Sequence, residues 1–87
     1  MYGVIRDPVF DEQLLALVGT IERVDDRVAG LEYIVARDPF VFPLGGQMRV
    51  AQTRDVVAGL TVWAFFTMET WPNGDEKVVL KRLELAP

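Results

Sequence analysis

The stretch Leu60-Thr61-Val62-Trp63-Ala64-Phe65-Phe66-Thr67-Met68-Glu69-Thr70 decides the fold. Successive side chains of a β-strand point to opposite faces. Leu60, Val62, Ala64, Phe66 and Met68 therefore share one face, and Thr61, Trp63, Phe65, Thr67 and Glu69 share the other. The first face is wholly apolar and needs a covering layer. The second carries two large aromatics, Trp63 and Phe65, where an open sheet face usually carries polar residues. That points to a covered or partner-binding surface.

Downstream, Trp71-Pro72-Asn73-Gly74 opens a turn, Asn-Gly being a strong hairpin signal. Lys77–Leu85 reads as the last strand, with an ambiguous register: Val78 and Leu80 compete with Val79, Leu83 and Leu85 for the core. Upstream, Met48–Arg54 alternates as well, so residues 48–85 read as an antiparallel meander. Pro43 and Gly45-Gly46 mark Phe40–Gln47 as a loop. Phe40, Phe42 and Pro43 make it unusually apolar, so that it is either pinned onto the sheet or extends a partner surface.

Before residue 40 the period changes to that of helices. Asp7-Pro8 makes a good start: Asp7 as N-cap, Pro8 at the first helical position, and Asp11 and Glu12 at the positive end of the dipole. Phe10, Leu14, Leu17 and Val18 recur at helical spacing, and Gly19 ends the run. Thr20 can cap a second helix, whose apolar stripe is Ile21, Val24, Val28, Leu31, Ile34 and Val35. Tyr33 lies beside that stripe, at the edge of the core. Asp38-Pro39 stops the helix near Arg37. With only Gly19-Thr20 between them, the two helices form an antiparallel hairpin. Tyr2–Ile5 reads as a short strand. The fold class is α+β, a single domain over 1–87: a short N-terminal strand and a helical hairpin packed on one face of a small antiparallel β-sheet.

Composition narrows the chemistry. The 87 residues include no histidine, cysteine or serine. No imidazole is present to move protons near neutral pH, no serine or cysteine to serve as nucleophile, and no His/Cys set to hold zinc. The reading leans away from an enzyme and requires no cofactor. The net charge of −4 disfavours direct nucleic-acid binding, which draws its affinity from phosphate neutralisation. Residues 1–45 hold eight acids and four bases and residues 46–87 five of each, so an electropositive patch belongs to the second half. The absence of cysteine, of a membrane-length apolar run and of signal-peptide features leads to a cytoplasmic expectation. The apolar fraction of 51% is rich for so short a chain, and surplus apolar surface usually finds a partner.

The order strand, helical hairpin, three-stranded meander resembles the RelE/ParE toxin superfamily. The residues that carry the resemblance are Tyr2-Gly3-Val4-Ile5 before Phe10-Asp11-Glu12-Gln13-Leu14, Leu44-Gly45-Gly46-Gln47-Met48-Arg49-Val50-Ala51, Val62–Glu69 and Val78–Leu85. The resemblance implies a toxin-like component of a type II toxin–antitoxin system, bound by a cognate antitoxin and aimed at the ribosome or DNA gyrase. Arg49 matches the arginine that follows the loop into the first meander strand. The family's arginine before the second strand is replaced by Thr61 or Trp63, and its basic C-terminal tail is absent. Those departures argue against ribosome-dependent RNA cleavage and fit a gyrase-type, degenerate or repurposed member. The alternative is a non-enzymatic interaction or homo-oligomerisation module using the open sheet face.

The candidate binding residues are Arg49, Arg54, Lys81 and Arg82, as a basic strip on the sheet, with Trp63 and Phe65 as aromatic anchors. Phosphate or an acidic antitoxin segment would suit the strip. A homodimer would suit the anchors. Asp11-Glu12, Asp25-Asp26 and Asp75-Glu76 are adjacent acids; neighbours on a helix diverge by about 100°, so they read as solvated surface and not as carboxylate dyads.

Overall fold

The computed structural model describes residues 1–19, 21–57 and 59–87, and only the backbone of residues 21–24. The sheet is built on strand β4 (Val62–Thr70), flanked by β5 (Glu76–Leu85) and β3 (Met48–Thr53), both antiparallel to it. Val62, Ala64 and Phe66 are fully buried against the helical layer, as their alternation requires. Leu60 precedes the strand and is exposed.

The sheet is mixed, where an antiparallel one was expected. Its order is β1-β5-β4-β3-β2, and the N-terminal strand β1 (Gly3–Arg6) runs parallel to β5, Gly3 opposite Lys77 and Arg6 opposite Leu80. The helical hairpin between β1 and the meander supplies the long connection that parallel strands need. At the other edge, β2 (Leu44–Gly45) pairs with β3, so the segment read as a loop contributes two residues to the sheet.

The ambiguity of the last strand has a structural cause. Phe65 pairs with Arg82 but Phe66 with Leu80, leaving Lys81 as an extra residue in a β-bulge. Leu80 and Leu83, three apart, thereby both face the core. Beyond the end of β1, the Leu83 N–H donates to Gln13 Oε1 of the first helix at 2.6 Å.

Helix α1 (Pro8–Val18) is capped as its sequence requires: the Val9 N–H donates to Asp7 Oδ1 at 2.9 Å, and Pro8 occupies the first turn. Gly19 closes it at φ 91°, a left-handed conformation that disfavours side chains. Helix α2 (Ile21–Arg37) ends at Asp38-Pro39, and Val28, Leu31 and Val35 are buried beside Phe10 and Leu14 of α1. Ile34 and Tyr33 are exposed, outside the stripe and core edge to which they were assigned. Thr20 and the side chains of Ile21 and Val24 lie outside the described residues. Both helices cover the same sheet face and leave the Trp63 face without a second layer.

Candidate functional site

The six residues singled out by sequence do not converge. Lys81, Arg82, Trp63 and Phe65 lie on the open face, whereas Arg49 pairs opposite Phe66 and shares its helix-side face. Arg54 is exposed beyond the end of β3. The expected basic strip is thus split by the alternation of the strands themselves.

On the open face the aromatic pair is largely covered by its own chain. The Arg82 guanidinium lies 4.3 Å from the centre of the Phe65 ring and pairs with Glu84 at 3.0 Å. Phe65 is only 7% exposed as a result. Trp63 is half-buried, and its indole N–H is shut from solvent with no acceptor among the described residues. Lys81 Nζ sits 3.0 Å from Glu69, whose carboxylate also accepts from Thr67 Oγ1 at 3.1 Å. The Lys81 hydrogen bond, then that from Thr67, holds the Glu69 carboxyl below its ordinary value. The two candidate cations of this face, Lys81 and Arg82, are therefore already partnered.

Arg49 is partnered too. Its Nη1 donates to the Phe42 carbonyl at 2.7 Å and to the Phe40 carbonyl at 3.4 Å, and its guanidinium lies 5.3 Å from the Phe40 ring. It clamps the chain that leaves α2. Pro39 and Phe42 pin the same chain from inside: Pro39 is fully buried in a short 3-10 helix (Pro39–Val41), and Phe42 meets Phe66 edge-on at 5.7 Å.

Around these anchors lie three exposed apolar side chains. Phe40, Val41 and Leu44 are 52%, 68% and 63% exposed. The ten residues Pro39-Phe40-Val41-Phe42-Pro43-Leu44-Gly45-Gly46-Gln47-Met48 contain no charge, in a chain that is 25% charged. Sequence reading marked Phe40, Phe42 and Pro43 and missed Val41 and Leu44. The uncharged run was visible, but which of its side chains turn outward depends on the 3-10 turn and the short β2 pairing.

Among the described residues, no three acidic groups are placed to hold a metal ion, and no helix is long and apolar enough to cross a membrane. What this segment offers is an uncharged stretch with three exposed apolar side chains: Leu44 on the edge strand β2, Val41 in the 3-10 turn, and Phe40, whose ring meets Tyr2 edge-on at 6.0 Å beside β1. Compared with known protein families, curated proteins and solved structures, the chain matches none.

Proposed function

We propose that this protein is a non-catalytic interaction domain that pairs with a second copy of itself through Phe40, Val41 and Leu44. The observation that carries this reading is the exposure of these three side chains on a segment with no charge. Exposed apolar surface of this kind favours association. Two copies of a chain with net charge −4 repel each other, and a neutral segment is where they can meet without juxtaposing like charges. An isologous contact needs a surface that complements itself, and exposed apolar side chains on an uncharged segment, Leu44 among them on the edge strand β2, are suited to that. The clamp by Arg49, Pro39 and Phe42 fixes the segment in advance, which lowers the ordering cost of association. Sedimentation equilibrium of the intact chain tests this. A reversible dimer is expected, and Val41→Asp, which places a charge in the contact, is expected to leave a folded monomer. A parent chain that remains monomeric at high micromolar concentration would sink the idea.

A second reading, the RelE/ParE-like toxin component, is supported by the order of elements, with the N-terminal strand joined to the meander. Arg49, the residue that matches the family, serves here to hold the loop, which favours a member that binds over one that cleaves. Tight induction in bacteria, with and without the adjacent reading frame, separates the readings. Growth arrest relieved by that neighbour supports the toxin. Normal growth with confirmed folded protein removes it.

A further inference from the structure

Along Val4 and Arg6, the outer edge of β1 has no neighbouring strand among the described residues. In a strand, the main-chain groups of alternate residues point to opposite sides. The Asp7 N–H donates to the Leu80 carbonyl at 2.8 Å, so Ile5 and Asp7 face β5. Tyr2, Val4 and Arg6 then face outward. The Tyr2 N–H agrees, reaching the Ala36 carbonyl at the end of α2 at 2.9 Å. The main-chain groups of Val4 and Arg6 find no such partner among the described residues.

They open on a groove of about 480 Å³ lined by Val4, Ile5, Arg6, Asp11, Asp25 and Glu32. Among the described residues that line it, Arg6 is the one cation. Its Nε pairs with Asp11 and its Nη2 with Asp25, each at 2.9 Å, which leaves Glu32 as a third carboxylate against a single guanidinium. Burial, with the adjacent Asp25 and Asp11 charges, holds the Glu32 carboxyl above its ordinary value despite Arg6.

We infer that this groove accepts an extended segment of a partner protein, added as a strand beside β1, in which basic and apolar side chains alternate. Main-chain pairing with Val4 and Arg6 supplies the register, as in other cases of strand addition. Val4 pairs opposite Val78, whose side chain is in the core, so partner side chains abreast of Val4 fall on the helix side, toward Glu32 and Asp25. A lysine or arginine there meets the excess negative charge. The alternate side chains fall beside Ile5, which is exposed on the other face and suits an apolar neighbour. A second copy does not fit, because β1 against β1 would bring two acidic walls together. The groove shares no lining residue with the Phe40, Val41 and Leu44 contact, although Phe40 reaches Tyr2 beside the start of β1.

The test is an amide NMR titration of the intact chain with the capped hexapeptide Lys-Val-Lys-Val-Lys-Val and its Glu-Val counterpart. Saturable shifts of the Val4 and Arg6 amides are expected with the lysine peptide alone. Glu32→Gln should weaken that binding by roughly three- to tenfold, as loss of one charge-assisted contact does. Glu32→Lys should transfer the preference toward the glutamate peptide. Unmoved Val4 and Arg6 amides, equal response to both peptides, or indifference to both substitutions would each overturn the inference. So would the same shifts produced by protein concentration alone, which would assign the edge to a second copy.

Discussion

At the scale of single residues, Arg49 shows how one guanidinium is diverted from recognition to architecture. It follows the loop in sequence, the position that first marks it as a binding residue. The 3-10 turn, however, presents two carbonyls to it, and those leave little for a ligand. A hydrogen bond to a charged group contributes roughly 1.5–3 kcal/mol, less where solvent competes. Arg49→Ala is therefore expected to cost about 1–2 kcal/mol of stability in urea unfolding and to loosen the dimer by freeing its contact segment. Unchanged values in both would remove the clamp from the account. Glu32 gives a different test. Its carboxyl is raised above the ordinary 4.5, chiefly by burial. The folded state then binds more protons than the unfolded one just above that pH, so this group makes stability fall as pH rises through the interval between the two values and stay level above it. Glu32→Gln should flatten that part of the pH profile. A variant whose profile runs parallel to the parent there would show that the carboxyl is not perturbed.

At the scale of elements, the legible parts are those set by local chemistry. The cap at Asp7-Pro8, the stop at Gly19, the break at Asp38-Pro39 and the alternation of β3 and β4 each depend on residues within a few positions, and each appears where the sequence places it, except that β4 begins at Val62 and leaves Leu60 outside. The parallel seat of β1 was not legible, because four residues can pair in either direction and the choice rests on the path of the hairpin across the sheet. The candidate strip failed for a related reason. Arg49 and Arg82 were placed correctly in their strands, but facing depends on register, and a one-residue shift exchanges the faces. The bulge at Lys81 was legible only as a conflict between two sets of core candidates. It yields a sharp expectation. Deleting Lys81 makes β5 regular while keeping Val78, Leu80, Leu83 and Leu85 on one face, so that variant should fold within about 1 kcal/mol of the parent, its main loss being the Glu69 ion pair. Deleting Val79 instead changes the facing of everything on one side of the gap and should prevent cooperative folding. Equal damage from the two deletions in urea unfolding would contradict the bulge.

At the scale of the whole molecule, charge is distributed so that the two proposed surfaces answer oppositely to salt. The helical stretch 8–37 carries six acids and three bases, whereas 39–48 carries none of either. Self-association through Phe40, Val41 and Leu44 thus combines an apolar contact with repulsion between two chains of net charge −4. The screening length shrinks from roughly 10 Å at 0.1 M ionic strength to about 3 Å at 1 M. Added salt removes the repulsion and leaves the contact, so the dimer constant should tighten roughly severalfold between 0.05 and 0.5 M sodium chloride. A basic strand in the β1 groove is held partly by Glu32 and Asp25 and should weaken over the same range. Sedimentation equilibrium reads the first and the peptide titration the second. A dimer that loosens with salt would place ion pairs at its centre and shift the contact to the charged faces of α1 and α2. A peptide affinity indifferent to salt would reduce the groove to main-chain pairing without selection for charge. The opposite signs, found together in one chain, would mean that its acidic surplus excludes self-pairing along β1 while drawing a basic partner to it, and that the neutral segment 39–48 is where like copies are free to meet.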